Sequence, residues 1–180
     1  MLRVLKHAAV AALGLICAAC AGSVAPKTVI SGDTPALVET GNAKECAAYA
    51  RERSGIALYG DAYTWWDQAE GLYGREAAPQ PGAVLVLSGY AGLKRSHLAV
   101  VTRIVSPREI RVDHANWLND GNLYLNTPVI DVSPANDWSQ VRVWNTRESH
   151  LGGNIYAVQG FITPYNTAHS ITAASGSSAF

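Results

Sequence analysis

Few residues in this chain can do covalent chemistry. Its 180 residues include three cysteines and five histidines. Cys17 and Cys20 fall within the first 22 residues, so Cys46 is the one thiol of the chain beyond them. A lone Cys can be a small core residue or a nucleophile retained for its thiolate. Its surroundings are Asn42-Ala43-Lys44-Glu45-Cys46-Ala47-Ala48-Tyr49-Ala50-Arg51. They predict the start of a helix. Asn42 suits the N-cap, Glu45 can reach back to its amide, and the alanines favour the helix. Gly55 and Gly60 lie beyond an end near Arg53. Cys46 then sits in the first turn, where unpaired amides and the helix dipole favour a thiolate.

A nucleophilic Cys needs a base, and the base needs a group to orient it. His7 lies in the leader, His169 in the tail and His150 in a polar loop before Leu151-Gly152-Gly153. His97 and His114 remain, each in a strand-like run. Strand side chains alternate, so His97, Ala99 and Val101 share one face and Val112, His114 and Asn116 share another. A two-residue turn at Ser106-Pro107 pairs Val105 with Arg108 and sets His97 opposite Asn116. His114 is then the diagonal neighbour, about 7–8 Å away. A one-residue slip would put the two histidines on opposite faces. Three other readings stand beside this one. Each His could be an ordinary core or surface residue. Cys46, His97 and His114 could bind zinc, although they lack the short ligand spacing of common sites. Asp61 and Asp67 could be the paired carboxylates of a glycosidase.

The elements that must position these residues change in character along the chain. Helix 42–53 is followed by a loop at Leu58-Tyr59-Gly60-Asp61 and an aromatic, helical segment at Tyr63–Ala69. Pro79, Pro81 and Gly82 are breakers. Strands follow at 83–87, whose continuous apolar run suits burial on both faces, and at 96–105 and 109–117. Asn119-Asp120-Gly121-Asn122 marks a turn, and further strands are expected at 140–144 and 155–162. Helices first and strands afterwards imply an α+β domain, with N-terminal helices packed on an antiparallel sheet of about five strands.

Residues 1–22 read as a signal peptide. Arg3 and Lys6 are charged, Ala8–Ile16 is too short to span a bilayer, and small residues follow. Cleavage after Ala21 fits. So does a bacterial lipoprotein signal at Ile16-Cys17-Ala18-Ala19-Cys20, which would lipidate Cys20. Residues 23–41 read as a linker, 42–165 as one catalytic domain and 166–180 as a loose tail. The protein is expected to be exported to the periplasm or cell envelope, anchored through Cys20 or else secreted. An exported chain with one unpaired Cys points to a thiol retained for its reactivity. Fourteen basic and fourteen acidic residues balance to +0, which excludes an electrostatic nucleic-acid binder.

Five pieces occur in an order that resembles the CHAP domain (cysteine, histidine-dependent amidohydrolase/peptidase) of the papain-related NlpC/P60-like group. They are Glu45–Arg51, Pro81–Val86, Ser96–Val101, Val112–Trp117 and Gly160–Pro164. The resemblance covers roughly residues 40–165. It implies Cys46 as nucleophile and His97 as base. His114 stands where this family often has Glu, Asn116 matches a neighbouring Asn, and either could orient His97. Ser96 replaces a usual Gly. The implied activity is hydrolysis of peptidoglycan amide bonds, in the stem peptide or cross-bridge, by a monomer without cofactor or metal. Trp65, Tyr63 and Tyr90 could line the substrate groove. A non-catalytic envelope module that binds wall fragments is the alternative.

Overall fold

The computed structural model describes residues 34–90, 92 and 94–164. The expected signal peptide, the lipidation site Cys20 and the 166–180 tail lie outside the described residues. Among those described, no helix is long and apolar enough to cross a membrane.

Strand β1 (Ala36–Val38) comes first, inside the stretch read as a linker, and helix α1 (Cys46–Ser54) follows. A 3-10 turn at Ala62–Thr64 runs into the single-turn helix α2 (Trp65–Gln68). The other strands are β2 (Gly74–Glu76), β3 (Val84–Ser88), β4 (His97–Ser106), β5 (Glu109–Ala115), β6 (Leu123–Asp131), β7 (Gln140–Asn145), β8 (His150–Leu151) and β9 (Tyr156–Thr163). These strands all pair antiparallel. The order β6-β5-β4-β3-β9-β7 closes on itself because β6 also pairs β7.

The molecule is therefore mostly β, a closed six-stranded barrel with extra strands, and the expectation of N-terminal helices on a five-stranded sheet is incorrect. The reason lies in β6. Its left-handed Asn126 (φ 51°) and its Pro128 interrupt the apolar pattern by which a strand is read. Yet Val129 to Asp131 make the β7 pairing that seals the barrel.

Closure divides the buried residues into two sets. Leu85, Leu87, Ala99, Val101, Val112, Val129, Val141 and Phe161 fill the barrel. Val84, Val86, Leu98, Val100 and Ile162 point outward, under Ala50, Ile56, Leu58 and Trp65 of the N-terminal segments. This double burial is why 83–87 is apolar at every position. Helix α1 lies over β4 with Ala47 and Ala50 inward, ends at left-handed Gly55, and closes with the Gly55 amide donating to the Arg51 carbonyl.

The β4–β5 hairpin carries the site. Its turn lies one residue later than expected, since Ser106 pairs Glu109. Two irregularities follow, between Ile104 and Ser106 and between Val101 and Arg103. Beyond them Val101 pairs Val112 and Val100 pairs Asp113, the register expected from the sequence. His97 and His114 consequently both belong to the inward face, at the end of the barrel where β3 stops and β6 begins.

Phe161 is fully buried in the barrel and meets Trp138 edge-on at 6.1 Å. Phe161→Ala is expected to destabilise the fold by about 3–5 kcal/mol, read as a lower urea midpoint at unchanged slope. Ile155→Ala, at a position 60% exposed, should change stability by no more than about 0.5 kcal/mol. Equal effects would contradict the barrel interior described here.

Candidate active site

Helix α1 begins at Cys46, later than the sequence implies. Glu45 is the N-cap, and no side chain caps the helix. The Asn42–Glu45 capping box does not form, because this segment is held from elsewhere. The Lys44 amide donates to the Gly121 carbonyl at 3.0 Å. The Glu45 carboxylate accepts from Asn116 Nδ2 at 3.1 Å, while Asn116 Oδ1 accepts from the Gly121 amide at 2.9 Å. Asn116 is left-handed (φ 59°) and ends β5. Gly121 has φ +70°, and a Cβ there would stand 2.7 Å from the backbone of Ala43. The 116–122 turn is thus a clamp on the approach to Cys46, and it works only with glycine at its centre.

His97 Nε2 lies 2.9 Å from His114 Nδ1, both rings being buried. The structure therefore pairs His97 with His114. Asn116 uses both ends of its amide on Glu45 and Gly121 and does not take the orienting position. For His97 Nδ1 to act as a base, Nε2 must carry the ring proton and donate it to His114 Nδ1. The proton of His114 then sits on Nε2, a buried atom with no hydrogen-bond partner among the described residues.

A cleft of about 510 Å³ opens beside His97, and its walls include Cys46, His97, Asn116, Tyr63 and Tyr90. Cys46 is the free cysteine, half-buried. Its thiol is pushed up from 9.0 by burial, against the backbone amides of Leu98, Ala47 and Cys46 itself, which favour the thiolate. The helix start does help the anion, as the sequence implies, but desolvation outweighs it. Burial also pushes His97 from 6.5 down to about 3 and His114 well below 6.5. The resting site holds a neutral thiol and two neutral imidazoles.

Aromatic rings enclose the histidines. Tyr90 lies 5.4 Å from His97, stacks on Tyr156 at 5.8 Å and donates its hydroxyl to the Trp117 carbonyl. Trp117 meets His97 edge-on at 4.8 Å. Burial raises the Tyr90 phenol to about 12, so it remains a donor. Trp65 does not belong here. It is 0% exposed, in the core between α1 and the barrel, and its expected role in substrate binding is incorrect.

Asp61 lines the cleft and Asp67 is exposed outside it. His150 is exposed on β8 and bonded to Glu148 at 2.7 Å. No three His, Cys, Asp or Glu side chains converge as metal ligands among the described residues. Three participants escaped the sequence reading. From the sequence, Glu45 reads as a capping residue and Asp120 as a turn residue in Asn119–Asn122. Tyr124 lay in a strand that was not foreseen.

The depressed histidines set an acid limit on stability. Above pH 6.5 both states leave His97 neutral. Below it the unfolded chain binds a proton that the folded chain resists down to about pH 3, so stability falls as pH drops through this window. Urea midpoints at pH 7, 6 and 5 should fall progressively, and His97→Gln should flatten the trend. A midpoint insensitive to pH between 7 and 5 would show that these rings are not held neutral.

The comparison with curated proteins gave no match, and neither did the comparison with solved structures. The family comparison did. CHAP domains are generally amidase or peptidase hydrolases, and the family points to peptidoglycan at a coarse level. Residues 38–116, the stretch that carries Cys46, His97, His114 and Asn116, match the family model of the CHAP domain, the family whose motifs the sequence resembles.

Proposed function

We propose that this chain is an exported bacterial cysteine hydrolase that cleaves amide bonds of peptidoglycan, as an amidase or an endopeptidase. The observation that carries the reading is the pairing of His97 with His114 behind a cleft whose wall also holds the free thiol of Cys46.

In the proposed cycle, His97 Nδ1 takes the thiol proton as the sulfur attacks the amide carbonyl carbon. The oxyanion is met by backbone amides at the start of α1. The first intrahelical bond there runs from the Tyr49 amide to the Glu45 carbonyl, which leaves the preceding amides available. The C–N bond breaks and the amine leaves with the proton from His97, giving a thioester on Cys46. Water then attacks the thioester, His97 takes its proton, and collapse returns the thiol and releases the acid. His114 keeps the His97 ring turned so that Nδ1 faces the sulfur. Tyr63 and Tyr90, on the cleft wall, suit contact with a sugar or stem peptide. Export through residues 1–22, with or without lipid on Cys20, would bring the enzyme to its substrate. One observation favours the alternative of a wall-binding module: burial holds the thiol and the imidazole neutral at rest.

Digestion of purified peptidoglycan, with products read by mass spectrometry, decides between the two. Wild type should release new fragments. Cys46→Ala should lower that rate about a thousandfold or more, and His97→Ala at least about a hundredfold. Glycan freed of stem peptides would identify an amidase, and split stems or bridges an endopeptidase. Binding without any product would leave the module reading in place.

A further inference from the structure

Behind His114 lies a second polar group that the proposed cycle does not use. Tyr124 faces His114 across the β5–β6 ladder, with the rings 5.5 Å apart. Its hydroxyl donates to Asp120 Oδ2 at 2.5 Å. Arg147 donates to the same oxygen at 2.7 Å and reaches the Tyr124 hydroxyl through Nε at 3.4 Å. The other Asp120 oxygen accepts the Asn122 amide at 3.0 Å. A carboxylate that receives three donors from a turn, a strand and a loop is fixed in place and fixed in charge.

That charge acts inward. Asp120 favours the protonated form of His114 and is the one carboxylate among the described residues that does so. Arg147 is the more exposed partner, its side chain 42% exposed against 20% for Asp120, so water screens its charge more than that of Asp120. The need for such an anion follows from the site itself. When His97 takes the thiol proton, a positive charge appears on a buried ring whose one hydrogen-bond partner among the described residues is another neutral imidazole.

We propose that Asp120, locked by Tyr124 and Arg147, is a positioning residue that extends the line Cys46–His97–His114. It supplies the fixed negative charge against which the cation on the two imidazoles forms. The other ionisable groups near the pair do not fill this role. Glu45 adjoins the sulfur and disfavours its thiolate. Tyr90 is held neutral over His97. Tyr124 is likewise kept a phenol, and Lys94 and Arg95 on the cleft wall are cations.

The inference rests on the Cys46–His97 reading, and the test separates the two. Alkylation of Cys46 by iodoacetamide is followed at pH 7, where reaction requires transfer of the thiol proton to His97, and at pH 10, where hydroxide can take that proton without His97. Asp120→Asn keeps a hydrogen-bond acceptor for Tyr124 and removes the charge. It is expected to lower the pH 7 rate about five- to tenfold and leave the pH 10 rate unchanged. A folded Asp120→Asn variant with an unchanged pH 7 rate, or with equal losses at both pH values, overturns the proposal. Should that variant not fold, Tyr124→Phe keeps the ring and cuts its bond to Asp120. The same loss, confined to pH 7, is then expected at smaller size, and its absence overturns the proposal too. His97→Ala reports on the underlying reading. If it leaves the pH 7 rate intact, the thiol–imidazole pair itself is wrong. If it lowers that rate while Asp120→Asn does not, only the role of Asp120 fails.

Discussion

Two imidazoles share a hydrogen bond of 2.9 Å in a place that water does not reach. Such a pair is stable only while both rings are neutral, and only while each is turned so that one donates and the other accepts. Much of the surrounding structure serves that condition. The irregularities in β4 bring His97 and His114 onto the same inward face. Trp117 and Tyr90 close over His97, and Tyr124 closes over His114. Without the register the two nitrogens could not meet. Without the rings the histidines would be wet and would titrate near their ordinary value.

The barrel also settles where the thiol sits. Alternation along β4 turns His97 inward and Leu98 outward. Leu98 is part of the layer under α1, and its amide acts on the Cys46 sulfur. The strand that carries the base is therefore the strand on which the nucleophile's helix rests. A change in packing beneath α1 would move the sulfur relative to the imidazole even though no site residue had altered. The 116–122 turn holds the other side of the same helix start through Asn116, Gly121 and Glu45.

How much of this is legible in the sequence depends on the range of the interaction. The helix at Cys46, the apolar run at 83–87 and the hairpin that pairs two histidines are local patterns, and they can be read locally. The barrel is not local. Its closure depends on β6, where Pro128 and left-handed Asn126 hide a strand whose partners are fixed by the rest of the sheet. Likewise Asn42 and Glu45 form a good capping box on paper. A turn some seventy residues later offers Glu45 a better partner and moves the helix start to Cys46. Trp65 fails for a related reason: nothing in its neighbours along the chain tells that α1 and the barrel will meet over it. Tertiary contacts outweigh local preference at each of these places.

The site also has an internal asymmetry that bears on its chemistry. Moving a proton from a half-buried thiol to a buried imidazole creates two charges where desolvation opposes both. The anion is well provided for: the amides of Leu98, Ala47 and Cys46 all favour the thiolate. Among the described residues the cation has no direct anionic partner besides that thiolate, because the residue behind His97 is the neutral His114. In a site that uses a carboxylate at that position, the compensating charge would touch the base. Here His114 stands between, and the carboxylate that acts on it, Asp120, lies one layer further out, held down to about 2 by Arg147, Tyr124 and the Asn122 amide. Such an arrangement keeps the resting pair neutral and gives the ion pair only a distant stabiliser. Proton transfer then belongs with carbon–sulfur bond formation, when the sulfur's developing charge passes to the carbonyl oxygen and the amides at the helix start can receive it.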